Sequence, residues 1–136
     1  MNEAFERGAI DEAVECSLRL WTDGERRTPE QVNQTAREQT RAITKRLFSR
    51  PPVEDAEQQQ YVPNALERLA DLRAPTLAIV GSEDNQMLHD IAERIASQSP
   101  NARRVVIADA GHHPNMEHPE EFNELVRSFL RNIPKT

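Results

Sequence analysis

Two residues have the chemistry of a proton-transfer pair. His112 lies in the stretch 109–122, which reads DAGHHPNMEHPEEF. An imidazole titrates near neutrality and can take up or release a proton at the pH of most cells. Small residues, Ala110 and Gly111, lead into it, and Pro119 opens a helix shortly afterwards, so a packed helix can hold the loop. A histidine that acts as a base needs a partner at its other ring nitrogen, to fix the tautomer and stabilise the imidazolium. Asp84, in Gly81-Ser82-Glu83-Asp84, is the candidate, with Glu83 a lesser rival. Each residue also has a purely structural reading: Asp84 as a helix N-cap, His112 as a loop histidine bonded to a backbone carbonyl.

The surrounding elements decide whether the two can meet. The run TLAIV at 76–80 lies between Pro75 and Gly81 and is apolar without alternation, the pattern of a strand buried on both faces. Leu88, Ile91, Ala92 and Ile95 form one helical stripe. A second short strand is expected over 104–107, and a last helix from Pro119 carries Phe122, Leu125, Val126, Phe129 and Leu130. Strand, helix, strand, helix implies parallel neighbours joined by a crossover. Asp84 and His112 then follow the carboxyl ends of the two strands, the end at which open parallel sheets bind ligands. Two strands alone leave an apolar edge unpaired.

Residues 1–50 read as helix. Ile10, Ala13, Val14, Leu18 and Trp21 share a stripe, and Asp23-Gly24 ends it, with Gly24 suited to a left-handed cap. Thr28-Pro29-Glu30-Gln31 carries a capping box and restarts helix. The second helix is long and thinly apolar, like a lid on another surface, until Pro51-Pro52 stops it. The acidic stretch 51–63 reads as a linker, and 64–136 as the α/β segment.

The chain has a net charge of −6, with 37% hydrophobic and 29% charged residues. That balance argues against nucleic-acid binding, which needs a concentrated basic surface. The pairs Arg26-Arg27 and Lys45-Arg46 have acidic neighbours and read as solvated helix faces. No 18-residue apolar run suggests a membrane span, and the start MNEAFERG is too polar for a signal peptide. The single cysteine, Cys16, allows no internal disulfide and no thiolate zinc site, and it has no adjacent base. A reduced, cytoplasmic protein is the expectation. His112, His113 and His118 with Asp84 are conceivable metal ligands, but no metal is expected; His113 and His118 read as exposed loop residues. Trp21, Met87 and Met116 read most simply as packing residues.

The order LERLADLRAPTLAIVG, Gly-x-x-Asp, helix, strand, Gly-His, Glu-x-Pro and a terminal Phe-Leu resembles the C-terminal part of an α/β-hydrolase of the small esterase, lactonase and C–C hydrolase group. Residues 1–50, including RLWTDGERRTPEQV, are similar to that family's helical cap. The resemblance implies a partial α/β-hydrolase fold, with Asp84 as triad acid and His112 as triad base. It implies that Trp21, His113 and Met116 line an acyl pocket, and that no cofactor is used. The family's nucleophile sits in a Gly-x-Ser-x-Gly elbow, and none of Gly8, Gly24, Gly81 and Gly111 flanks a serine in that pattern. Ser82 lacks the strained turn that would expose it.

Two expectations follow. In the first, the chain is the C-terminal, acid-and-base portion of a hydrolase for a small ester, lactone or similar substrate, either a truncated gene product or one half of a divided enzyme, and inactive until a complementing half supplies the serine. In the second, it is a non-catalytic binding or assembly module, a homo-oligomer paired through 76–80.

Overall fold

The computed structural model describes residues 4, 7–51 and 64–133. Most of the expected linker, 52–63, lies outside the described residues, as do 1–3, 5–6 and 134–136.

Helix α1, Ile10–Ser17, has Asp11 and Glu12 in its first turn, where the helix dipole favours carboxylates. It runs into a wide π-helical turn, Leu18–Asp23. Ala13, Val14 and Leu18 from this unit are at most 1% exposed. Gly24 does not form a left-handed cap. Its φ of 76° and ψ of −179° belong to a region open essentially to glycine alone. A Cβ there would run into the backbone carbonyl of Glu83. This glycine is therefore needed for a close approach between distant segments.

The Thr28 capping box forms, with the Thr28 N–H donating to Gln31 Oε1 at 2.7 Å, but it starts only a single 3-10 turn, Pro29–Gln31. Val32 is extended, and helix α2 begins afresh at Gln34–Phe48. Its cap is Asn33, whose Oδ1 accepts the Ala36 N–H at 3.1 Å. The first half of α2 is fastened to the π turn by a buried ion pair. Arg37 donates from Nε and Nη2 to the two Asp23 oxygens at 2.8 and 3.0 Å, and the Asp23 side chain is 0% exposed. Burial opposes the charge on Arg37, but the hydrogen bonds to Asp23 outweigh it and raise the guanidinium's pKa. The second half of α2 leaves Ile43 and Leu47 exposed.

After a 3-10 segment, Ala65–Asp71, strand β1 covers Thr76–Gly81, helix α3 covers Gln86–Gln98 and strand β2 covers Ala102–Ile107. β1 and β2 pair in parallel, from Thr76 opposite Ala102 to Gly81 opposite Ile107. The expected strand–helix–strand unit is thus present, but β1 is not buried on both faces. Thr76 through Ile79 are half-buried, and only Val80 and Gly81 are buried. Thr76 donates to Asn101 and Ser82 to Ile107, so alternate residues face β2. Leu77 and Ile79 therefore turn their backbone groups to the opposite edge. Among the described residues the sheet has these two strands and no third.

A short helix α4, Pro114–Glu117, leads into α5, Pro119–Arg131. The apolar stripe of α5 forms as expected, yet none of its residues is buried and Leu130 is 59% exposed. The Arg103 guanidinium lies 5.8 Å from the Phe129 ring, which places α5 beside β2.

Candidate active site

The two parallel strands end side by side, and their following loops bring the expected pair together. Ser82 and Glu83 are pinned to the second loop: the Glu83 N–H donates to the Ala110 carbonyl at 2.8 Å, and the Asp109 N–H donates to Ser82 Oγ at 2.9 Å. Asp109 has a φ of 55°, a left-handed conformation that aspartate tolerates better than most residues. That turn sends the chain back toward Asp84.

His112 Nδ1 lies 2.9 Å from Asp84 Oδ2. With Asp84 ionised, Nδ1–H is the donor, which leaves Nε2 as the basic nitrogen. The Asp84 side chain is 5% exposed and that of His112 is 35% exposed, so the acid is enclosed and the imidazole open. The other Asp84 oxygen accepts the Asn85 N–H at 2.8 Å. Asp84 is not the N-cap of α3: Asn85 is, accepting the Met87 N–H at 2.9 Å. Glu83 is turned away, to Arg26 at 3.0 Å and Ser82 Oγ at 3.0 Å.

The N-terminal helical segment closes over the loop. Its π turn leaves the last helical carbonyls without intrahelical partners; those of Thr22 and Asp23 accept from Arg27, and that of Trp21 turns to the histidine loop. The Trp21 carbonyl accepts the His112 N–H at 2.9 Å, and the Trp21 ring centroid stands 4.9 Å from the imidazole. Met116 packs against α2, where Thr40 Oγ1 donates to its sulfur at 3.7 Å. His113 and His118 are half-buried rather than exposed. The His113 ring meets His112 edge-on at 5.3 Å between centroids, and burial, then its neighbour His112, lowers its pKa against the opposing pull of Glu117 and Asp84. His118 Nε2–H donates to the Asp109 carbonyl at 3.2 Å. Met87 is 55% exposed on α3 and takes no part. Among the described residues no group of three or more His, Cys, Asp or Glu side chains is arranged to hold a metal.

Two residues that the sequence reading passed over complete the site. Arg27 reads as half of a solvated basic pair, yet its side chain is 7% exposed and forms an ion pair at 2.9 Å with Glu117, which is 1% exposed. Arg26, its neighbour, is the exposed member. Glu117 appears in sequence only as the Glu of Glu-x-Pro, and the six residues to Gly111, whose N–H it accepts at 2.7 Å, are its sole local signal.

Two hollows flank Asp84. One, of about 500 Å³, is lined by Glu25, Arg26, Glu83, Asp90, Glu93 and Arg104. Much of its charge is already paired, Arg26 with Glu83 and Arg104 with Glu93. The other, of about 200 Å³, runs along β1 and α3 between Ile79, Val80, Leu88, Ile91 and Ile95 and ends at Asp84 and His112.

Two parallel strands with Asp84 and His112 in the loops that follow them fit part of an α/β-hydrolase fold. A model of the alpha/beta hydrolase family matches residues 3–125, and the chain belongs to that family. Among curated relatives it is 38% identical over 69 residues to a 2-hydroxy-6-oxononadienedioate/2-hydroxy-6-oxononatrienedioate hydrolase of Burkholderia vietnamiensis, covering 51% of this chain and 24% of that protein. It is also 38% identical over 63 residues to the pimeloyl-[acyl-carrier protein] methyl ester esterase of Pectobacterium atrosepticum, covering 46% of this chain and 25% of that protein. Among solved structures, MenH from S. aureus superposes with a TM-score of 0.65 at 20% identity, over 95% of this chain and 48% of its own. Est816, described as an N-acyl homoserine lactone degrading enzyme, superposes with a TM-score of 0.61 at 28% identity, over 94% of this chain and 50% of its own. The chain therefore spans about half the length of these structures, and its matches span about a quarter of the curated relatives.

Proposed function

We propose that this chain carries the acid and the base of a serine-type α/β-hydrolase acting on a small ester, lactone or related carbonyl substrate. The observation that supports this most is the bond from His112 Nδ1 to an enclosed Asp84, with Nε2 unbonded among the described residues. In this reading His112 Nε2 takes the proton from a serine hydroxyl as its oxygen attacks the carbonyl carbon. It then returns that proton to the leaving group, while Asp84 holds the imidazole and stabilises its charge. The names of the relatives favour an ester, a lactone or an unsaturated oxo-dicarboxylate substrate. Trp21, His113 and Met116 are proposed to form the wall of the acyl pocket nearest the base.

No serine on this chain stands at Nε2 among the described residues, so the nucleophile is proposed to come from a complementing segment docked along β1. The unpaired edge at Leu77 and Ile79 and the apolar groove ending at His112 suit a further parallel strand. A serine-directed phosphonate probe and an activated ester test this: the chain alone is expected to show neither labelling nor turnover, and robust labelling overturns the reading.

The same edge supports a second reading, a non-catalytic module paired with its own copy through 76–80. Light scattering at micromolar concentration is expected to show a species larger than the monomer, and a clean monomer counts against self-pairing.

A further inference from the structure

The junction between the N-terminal helical segment and the histidine loop contains a buried ion pair with no part in proton transfer. Withdrawing two charges from water is costly unless every remaining donor and acceptor finds a partner. Here the partners are backbone groups of the two segments that must be aligned. Arg27 donates from Nε to the Asp23 carbonyl at 3.0 Å, from Nη2 to the Thr22 carbonyl at 2.7 Å, and from Nη1 to the Asp109 carbonyl at 2.8 Å. Nη1 also reaches Glu117 Oε2 at 2.9 Å, and the second Glu117 oxygen accepts the Gly111 N–H.

Four successive loop residues are held, two of them by this pair. Arg27 takes the Asp109 carbonyl, the Glu83 N–H the Ala110 carbonyl, Glu117 the Gly111 N–H, and the Trp21 carbonyl the His112 N–H. Gly111 fits only because it lacks a side chain, since a Cβ would lie 2.5 Å from the Thr22 carbonyl oxygen and 2.9 Å from Arg27 Nη2. The peptide entering His112 is consequently clamped from the helical segment on one side and from α4 on the other.

We propose that Arg27 and Glu117 are positioning residues for His112: their ion pair sets the register of the histidine loop against the N-terminal helical segment, and so delivers Nδ1 to Asp84. The proposal gains its functional meaning from the reading of His112 as a base, but its test uses no turnover, so either can fail without the other.

The test follows the Nδ1–H proton of His112 by NMR in the full chain labelled with ¹⁵N-histidine, the resonance being assigned by its loss in Asp84→Asn. Glu117→Gln keeps the shape and an acceptor for Gly111 but removes the charge facing Arg27. In a folded Glu117→Gln chain, exchange of Nδ1–H with water is expected to quicken at least tenfold, while amides of β1, α3 and β2 exchange as before. Arg27→Lys, which keeps the charge and loses the fork, is expected to do the same. Unchanged Nδ1–H exchange in either folded variant overturns the proposal. Should both variants unfold, the wild-type chain decides: Nδ1–H and the Gly111 amide, corrected for intrinsic rates, are expected to share one opening within tenfold. An Nδ1–H more than tenfold faster would show that the clamped backbone does not govern the imidazole, and would equally overturn it.

Discussion

Two surfaces meet at Asp84 and His112, and they are built on opposite principles. The junction of the N-terminal helical segment with the histidine loop is polar and enclosed: Arg27 and Glu117 are almost wholly buried and paired, and just behind them Arg37 and Asp23 form a second buried pair that ties α2 to the π turn. The surface along β1 is apolar and half-open, with Leu77 and Ile79 only partly covered and a groove beside them. The contrast assigns separate work to each. Ion pairs and backbone hydrogen bonds are directional and can orient one imidazole; an apolar groove is not directional and suits a surface that receives something else.

The sharpest way to break the comparison is to remove a charge from the polar side. Asp23→Ala removes the bidentate partner of the buried Arg37, which keeps its ion pair with Glu15, and is expected to cost about 3 kcal/mol in chemical denaturation. A loss below about 1 kcal/mol would mean that water reaches Arg37 and that this polar side is not enclosed. A matched pair of truncations probes the apolar side. Leu18→Ala, at a side chain 0% exposed, is expected to cost about 2–5 kcal/mol, and Leu77→Ala about 1 kcal/mol. Equal costs would show that β1 is covered in solution, by a second copy or by another partner. A smaller effect distinguishes the two candidate caps of α2. Asn33→Ala is expected to cost about 1 kcal/mol, and Thr28→Ala distinctly less, because Thr28 caps only an isolated turn. The reverse order would mean that the two turns fuse into one helix.

The smallest effect concerns pH. Burial lowers the His113 pKa below the ordinary histidine value of 6.5, so between the two values the unfolded chain binds a proton that the folded chain refuses. This contribution to stability is complete above the ordinary value and is lost as pH falls through the folded one. His113→Asn is therefore expected to flatten the decline of the melting temperature on the acid side of neutrality, and an unchanged slope removes His113 as its source.

Some of this was legible in the residues and some was not. Asp84 and His112 could be named because each follows a recognisable strand, and parallel strands place such loops at one edge. The cap at Asn33 was hidden by Thr28 and Gln31, whose capping box is real but stops after one turn. Nothing local marks Arg27 or Glu117. Neighbouring arginines among acids read as a solvated face, and only the tertiary approach of a helix end to the histidine loop turns one of them inward. The run 76–80 predicts a strand buried on both faces, and its composition cannot reveal that Thr76–Ile79 stay half-buried, with β2 as the one strand beside them among the described residues. Among the described residues no helix is long and apolar enough to cross a membrane.

The buried ion pairs carry a consequence for heating. The cost of dehydrating charged groups falls as temperature rises, whereas the gain from apolar burial levels off. The junction should therefore be the part of the molecule that warming spares longest, and the strand pair the part that loosens first. Hydrogen exchange followed up a temperature series reads that order directly: amides of Gly111 and His112 are expected to outlast those of Leu77 and Ile79, and the opposite order would place the thermal weak point in the histidine loop itself.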